Sequence, residues 1–451
     1  MHRKFTQMPS NTPSLQKIWN ISWPIMISLV AQNIVNVTDT AFLGHVGAVE
    51  LGASAIGGLF YVTLFMVSCG FTTGVQILIA RRHGEKDYPA IGSIFDNGFY
   101  FLGISTIIIT ALIVLFGAQL LKPFIVSVDV FHASVVYLNY RIFGLFFASS
   151  ALLFRSFYTG IEFTKYISIS AAIMAGINVI LDYGMIFGKL GFPEMGIAGA
   201  GLASSISEAC ALLFFFAITA RKAHLAKFKL FAFVKPDLSI IKSTLDVSLY
   251  IMIQFVLSHA VWFGFFLLIE KMGETSLAVS NIIRSLYMML MIPAWAMSSA
   301  TSSIVSNAIG EGFSKNVIPI VNKILLFSMS IMLTIALLAA FVPHFMIAIY
   351  TNDIRLQEAS VTSYYVILGA VFLFSATIVL FNGVLGTGNT RSGLAIEVFT
   401  LSLYLVFAWL LAVKLHEPIE VVWLCEYMYA LVLGSLSWIY LKKGKWEGRI
   451  I

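Results

Sequence analysis

The sequence predicts an all-α polytopic membrane protein whose twelve transmembrane helices form two six-helix bundles. Three observations support this fold class. The 451 residues are 59% hydrophobic and only 11% charged, a composition outside the range of soluble domains. Apolar runs of about 20 residues or more, long enough to cross roughly 30 Å of hydrocarbon, recur along the chain. The second half of the chain also repeats the first, which predicts two copies of one bundle.

The apolar segments leave little chain for a soluble domain. The first follows a polar N-terminal stretch, is of full spanning length and lacks a small-residue cleavage site. It is therefore predicted to be a membrane span and not a removable signal peptide. The predicted spans are 18–43, 51–79, 93–118, 133–157, 166–188, 196–220, 245–269, 278–304, 317–346, 361–384, 394–414 and 420–441.

Positive charges in the connections predict the orientation. Most of the 28 Lys and Arg lie in the termini and the even-numbered connections, including the basic segment 221–242. Because such connections remain on the cytoplasmic side, both termini are predicted to be cytoplasmic, in the plasma (inner) membrane. The net charge of +6 then reflects orientation and contact with anionic lipid, and no nucleic-acid partner is expected.

The two halves of the chain align with each other at one constant offset in residue number. The offset that places residue 24 on residue 250 also aligns several separated segments of the first half with segments of the second, without gaps. Six spans per copy is an even number, so both copies cross the membrane in the same sense. They are predicted to be related by a pseudo-two-fold axis along the membrane normal, around a central cavity. The predicted lobes are 1–220 and 245–451, joined by a basic cytoplasmic linker at 221–244. Matched pairs include Ile25 and Ile251, Gly47 and Gly273, Gly84 and Gly310, and Gly160 and Gly386.

Two aspartates lie inside predicted spans. A carboxylate near the bilayer centre costs about 3 kcal/mol even on insertion scales, so Asp39 and Asp182 are candidate functional residues. Gln32, Asn36 and Asp39 follow the spacing i, i+4, i+7 and share one face of the first helix. Asn178 and Asp182 share a face of the fifth. These polar faces are predicted to point at protein or at a water-filled cavity, because lipid would penalise each group.

The chemistry of the pair depends on whether the two faces meet. Two adjacent carboxylates repel each other and tend to share a proton or bind a cation. Oxygen atoms of Asp39, Asn178 and Asp182, with the Ser204 hydroxyl on the sixth helix, also suit Na⁺. Both H⁺ and Na⁺ are therefore candidate coupling ions, and no other cofactor or metal is predicted. The alternative is that each aspartate forms a structural hydrogen bond between helices.

Other intramembrane residues carry weaker predictions. Pro24 removes a backbone hydrogen bond and should bend the first helix, either as part of the mechanism or as a static kink. Gln32, Asn36, Tyr137 and His259 are candidate residues of a substrate cavity, although a lone intramembrane histidine is more often a packed hydrogen-bonding residue. The positions equivalent to the two aspartates are apolar in the second half, which confines the predicted titratable chemistry to the first lobe. They are Phe265 and Ala408.

Four motifs carry a resemblance to a known family. They are VTDTAFLGHVGAVELGA at 37–53, NVILD at 178–182, GIAGAGLASSISE at 196–208 and GTGNTR at 386–391. With the spans and the duplication, they resemble the multidrug and toxic compound extrusion (MATE) transporters, over essentially the whole chain. The resemblance implies a V-shaped pair of lobes. It also implies export of cationic or amphipathic organic compounds in exchange for H⁺ or Na⁺ by alternating access.

The chain is most similar to the DinF-like branch of that family. The acidic site of this branch falls on Asp39, Asn178 and Asp182, and Ser204 stands where the branch often has a threonine. The NorM-like branch has acids on the seventh and tenth helices, where this chain has Ser258 and Phe374. No cation site is therefore expected in the second lobe.

The predicted function is a monomeric, H⁺-coupled multidrug exporter that acts on small organic cations or amphipathic drugs within the lipid bilayer. It is not predicted to be an enzyme. One alternative is a flippase for lipid-linked oligosaccharides, which would need a cationic central cavity. Another is an intramembrane aspartyl protease, but its GxGD pattern is absent.

Overall fold

The computed structural model describes residues 12–233, 235–444 and 446–447. Apolar side chains surround most of its helices, as expected where every backbone hydrogen bond must be satisfied within the helix. No strand occurs within these ranges. The helices of the first half are α1 (Leu15–Val46), α2 (Ala48–Gly84), α3 (Tyr88–Leu121), α4 (Val128–Arg141), α5 (Gly144–Gly160), α6 (Lys165–Phe187) and α7 (Ile197–Arg221).

The second half contains the remaining helices, two of which are very short. The helices are α8 (Leu238–Glu270), α9 (Glu274–Leu290), α10 (Ile292–Gly310), α11 (Val317–Ala340), α12 (Pro343–Ala348), α13 (Ile354–Gly386), α14 (Thr390–Trp409), α15 (Ile419–Val422) and α16 (Cys425–Lys443).

Within the described ranges, ten helical segments are long and apolar enough to cross a membrane. Two bent pairs, α4 with α5 and α9 with α10, bring the number to twelve. The predicted all-α membrane fold is thus confirmed. Each pair bends by 48°, and Pro293 near the start of α10 explains the second bend. Arg3, Lys4, Lys445 and Arg449, which contributed to the predicted orientation, lie outside the described residues.

Polar side chains mark the starts of several helices. Asp87 precedes α3 and accepts from the Ala90 amide at 3.3 Å, with a proline in the first turn. Asn389 precedes α14 and accepts from the Ser392 amide at 3.3 Å. Such caps satisfy amides that have no partner within the helix. They allow the short polar connections to end one span and begin the next.

The chain forms two compact units. The N-terminal unit comprises Pro24–Ile79 and Asp87–Ala260, and the C-terminal unit comprises Ala80–Lys86, the chain from Val261 onward and the described residues before Pro24. The predicted lobe boundaries at 220 and 245 stay a prediction. The predicted bend at Pro24 also stays a prediction, because α1 runs as one helix through this buried residue.

In the N-terminal unit, α7 packs against α4, α5 and α6. Small residues allow this close approach, which is typical of helix pairs in lipid. A side chain at Gly199 would meet the Met185 backbone of α6 at 2.8 Å, and one at Gly201 would meet the Tyr137 carbonyl of α4 at 3.0 Å. The GIAGAG stretch therefore lets α7 approach both neighbours and present its serines to them.

In the C-terminal unit, α13 packs against α9, α10, α11 and α16. Its core is rich in buried aromatic rings, among them Trp423, Phe265 and Tyr364. The Trp423 indole packs edge-on against Phe265, with ring centroids 5.3 Å apart, and its N–H donates to the Ser280 hydroxyl at 3.3 Å. Buried tryptophan usually keeps such a polar partner.

Candidate functional site: a buried carboxyl pair

The two predicted aspartates meet in the N-terminal unit. The side chains of Asp39 on α1 and Asp182 on α6 lie close enough to interact directly. Asp182 is fully buried, and so is Asn178 one turn before it on α6. Asn178 and Asp182 share one face of α6. Two carboxyl groups in direct contact need a proton between them, because ionised carboxylates only accept hydrogen bonds.

Ser204 links the two helices from α7. Its hydroxyl donates to Asp39 Oδ2 at 3.5 Å and accepts from Asn178 Nδ2 at 3.5 Å. Both contacts are long for hydrogen bonds. All four residues predicted for the cation-coupling site therefore lie together, on α1, α6 and α7.

Several oxygen atoms of this site have no hydrogen-bond donor in the protein. They are Asp39 Oδ1, both carboxylate oxygens of Asp182 and Asn178 Oδ1. A buried acceptor without a donor costs about 1–3 kcal/mol and more when it is charged. A bound proton or another small cation would remove this cost. Among the described residues, no group of three or more His, Cys, Asp or Glu is arranged to hold a metal ion.

The predicted cavity residues take different positions. Gln32 and Asn36 lie on exposed parts of α1. Tyr137 is buried: its ring packs against Gly57 of α2, where a side chain would meet it at 2.8 Å, and it interacts electrostatically with Asp39. His259 bonds through Nδ1 to the Phe255 carbonyl at 3.2 Å, within its own helix. Their predicted contact with substrate stays a prediction.

One feature of the site was missed from the sequence. Arg141, at the end of α4, forms a two-point ion pair with Glu208 of α7, with N–O distances of 2.8 and 2.6 Å. The guanidinium carbon also lies 3.7 Å from the centre of the Tyr61 ring on α2. The sequence offered a signal, since Ser204 and Glu208 are four residues apart and so share a face of α7.

The C-terminal unit also contains buried acids, although the positions equivalent to Asp39 and Asp182 are apolar there. In the C-terminal unit, Glu397 of α14 and Glu426 of α16 are 2% and 4% exposed. Tyr429 of α16 donates to Glu397 at 2.6 Å, and Tyr404 of α14 donates to Glu426 at 2.9 Å. Each helix thus supplies one acid and one tyrosine to the other. The shift that aligns the halves did not reveal these acids, because it tested only the positions equivalent to Asp39 and Asp182.

A cavity of about 640 Å³ lies elsewhere in the C-terminal unit. Its polar lining comes from α13, α15 and the connections after α8 and α14, and it includes Lys271, Glu358, His416, Glu417 and Glu420. None of the predicted site residues lines it. The carboxyl pair, and not this cavity, is therefore the candidate site.

Known proteins resemble this chain in sequence. The MatE family model matches twice, at 24–184 and 251–410, which together cover more than two thirds of the chain and reproduce its duplication. A probable multidrug resistance protein NorM of Thermotoga maritima is 25% identical over 446 residues, covering 97% of this chain and 95% of that protein. A protein of the same description from Agrobacterium fabrum is 26% identical and covers 75% of this chain and 72% of its own length.

Solved structures share the fold. An outward-facing multidrug resistance MATE family transporter of the MOP superfamily superposes with a TM-score of 0.87 at 18% identity, covering 95% of each chain. A MOP superfamily transporter from Pyrococcus furiosus gives 0.85 at 18% identity, covering 95% of this chain and 96% of that one.

A duplicated six-span membrane fold with a buried carboxyl pair defines a membrane transporter, and not an enzyme. The chain belongs to the MatE family. The multidrug and toxic compound extrusion fold predicted from the four motifs is thereby confirmed. Assignment to the DinF-like branch stays a prediction, and the two relatives described above carry the NorM name.

Proposed function

We propose that this transporter is a secondary active exporter that exchanges cationic or amphipathic organic compounds for H⁺, with Asp39 and Asp182 as the coupling pair. The observation that carries the proposal is the direct approach of the two carboxyl groups within one site. Two carboxyl groups this close repel each other when both are ionised, so they tend to share one proton and titrate as one unit. The NorM name of the relatives supports drugs as the substrate class.

In this mechanism the pair binds a proton when the site is open to the outside and loses it when the site is open to the cytoplasm. Loss of the proton leaves two charged groups in contact, which repel each other. This repulsion would favour a different position of the α1 segment that carries Asp39. Both termini are proposed to be cytoplasmic, in the plasma membrane, and the protein is proposed to act as a monomer.

The lipid-linked oligosaccharide flippase would need cationic groups that are free to hold a pyrophosphate. Arg141, the arginine beside the carboxyl pair, is instead paired with Glu208.

Dye export from proteoliposomes under an imposed pH or Na⁺ gradient tests the proposal. We expect the pH gradient alone to drive export, and Asp39→Asn and Asp182→Asn each to abolish it with normal amounts of folded protein. Asp129→Asn, an exposed aspartate at the start of α4, is the matched control and should export normally. Export driven only by Na⁺, or normal export by either site variant, would show that the proposal is wrong.

A further inference from the structure

The ion pair of Arg141 and Glu208 lies where the fourth span is broken. α4 ends at Arg141 and α5 begins at Gly144. At this break the Ser205 hydroxyl of α7 bonds to the Tyr140 carbonyl at 3.0 Å. Gly144 has no room for a side chain, because Arg141 and Glu208 occupy the space where one would point. The break and the ion pair therefore form one packed arrangement.

This arrangement is connected to the carboxyl pair through α7. Ser204 bonds to Asp39, and Glu208 lies one helical turn further on, so one face of α7 serves both groups. Arg141 interacts electrostatically with both Asp39 and Asp182, and Glu208 interacts with Asp39. The ionisable groups that face the carboxyl pair are Tyr137 and Arg141 of α4 and Glu208 of α7, and Tyr61 of α2 packs on Arg141.

The ion pair is confined to the half of the chain that holds the aspartates. The shift that places residue 24 on residue 250 places Arg141 on Ile367 and Glu208 on Gly434. Helix α13 runs without a break through Ile367. The repeated bundle can therefore form without such a pair at this position. A buried ion pair is also weak evidence for stability, since desolvation of both ions offsets most of their attraction.

We propose that Arg141 and Glu208 are positioning residues that set the affinity of the Asp39–Asp182 pair for its coupling proton. The inference rests on the proposed function. The positive guanidinium disfavours a proton on the aspartates, and the Glu208 carboxylate largely cancels this effect. A net charge left by removing either partner acts over a short distance in a low-dielectric interior and changes ion affinity by about tenfold or more.

Charge-neutralising variants of the two partners give opposite expectations. R141Q should let the aspartates hold their proton to a pH about one unit higher, because a positive charge is lost. E208Q should move the midpoint to lower pH by a similar amount, because Arg141 is left uncompensated. The double variant R141Q/E208Q should lie close to wild type. A merely structural role would move both single variants in the same direction or not at all.

The measurement is an infrared titration of the protonated carboxyl band in purified, isotope-labelled protein, where labelled aspartate separates Asp from Glu signals. D39N and D182N identify the band of the pair. R155Q is the matched control: Arg155 is a partly buried arginine of the same unit that bonds to Ser28, and its loss should leave the midpoint unchanged.

A shift of the titration midpoint in the same direction in R141Q and E208Q would overturn the proposal. A change in proton affinity of less than threefold in these variants would also overturn it. If one single variant fails to fold, the other still tests the sign: R141Q must move the midpoint to higher pH, and E208Q must move it to lower pH. A shift of the opposite sign, or no shift, in the variant that folds contradicts the proposal. This titration does not require transport. If the proposed function is wrong, drug export should instead survive in D39N or D182N.

Discussion

The Ser204 hydroxyl lies 3.5 Å from Asp39 Oδ2 and 3.5 Å from the amide nitrogen of Asn178, so one side chain of α7 contacts both α1 and α6. It supplies the hydroxyl donor that the structure gives to Asp39. The strength of coupling between the two aspartate-bearing helices should therefore depend on this hydroxyl more than on the size of the residue.

Ser204→Thr should keep the hydroxyl and the function, whereas Ser204→Ala should lower proton-driven export several-fold, because Asp39 loses a donor. The measurement is initial export rate in proteoliposomes at matched protein amounts. Ser207→Ala is the control, since the buried Ser207 hydroxyl bonds only to the Ser204 carbonyl at 2.8 Å. Equal rates for the alanine and threonine variants would contradict the prediction.

The two hydrogen bonds from tyrosine to glutamate in the C-terminal unit should stabilise the fold. Tyr429→Phe and Tyr404→Phe each remove a donor from a buried carboxyl group, which costs about 1–3 kcal/mol. We expect lower unfolding temperatures in detergent for both variants. Tyr365→Phe is the control, because the exposed Tyr365 makes only a long bond of 3.3 Å to the Ala340 carbonyl. Unchanged unfolding temperatures in both glutamate-linked variants would show that these bonds stabilise little.

The segment after α7 should be released by a change at Asp96 of α3. The Asp96 carboxylate accepts from the amides of Phe231 and Phe233, each at 3.0 Å. Asp96→Ala removes both bonds and should accelerate tryptic cleavage within 221–237 by several-fold. Asp129→Ala, an exposed aspartate, should leave the cleavage rate unchanged. The same cleavage rate in both variants would mean that this segment is held by other contacts.

Acidic pH should loosen the start of α8. Two hydrogen bonds from Ser239, its amide at 2.8 Å and its hydroxyl at 2.7 Å, lower the pKa of the Asp237 carboxyl below its ordinary value. A lowered pKa means that the ionised group favours the folded start of the helix, and this contribution is lost as the pH falls through the folded-state pKa. Hydrogen exchange of the first α8 turn, corrected for intrinsic rates, should rise at low pH in wild type. Asp237→Asn should remove most of that dependence, and an unchanged profile in the variant would contradict this assignment.

Pro24→Ala tests the predicted bend of α1. The substitution allows a backbone hydrogen bond that proline cannot form and should make this part of the helix stiffer. If bending belongs to the transport cycle, export should fall several-fold with normal expression. Export at the wild-type rate would leave the proline with a static role.

Much of the fold could be predicted because membrane insertion depends on the local sequence of each segment. Each apolar run must be long enough to cross the bilayer and must satisfy its own backbone, so length and hydropathy locate the spans. The break in the fourth span was not predicted. A break such as the one between Arg141 and Gly144 depends on contacts with α7, and the hydropathy of a segment does not show which residues of another helix it contacts.

The four site residues were predicted because buried polar groups in lipid are costly and therefore few. Arg141 and Glu208 were missed as a pair, although both are ionisable. Each alone could have extended to the membrane surface, and only their spatial proximity shows otherwise. The same reasoning applies to Glu397 and Glu426, whose tyrosine partners lie on a different helix from each acid.

The sequence by itself determined the number of spans, the duplication and the helical faces that carry Asp39, Asn178 and Asp182. These properties follow from side-chain hydropathy and from the period of the helix, both of which are local. Only the tertiary structure decided that the two aspartates touch, that Ser204 joins them and that an ion pair stands beside them. Contacts between helices depend on how small residues such as Gly199 allow the helices to approach, and that packing is a property of the whole bundle.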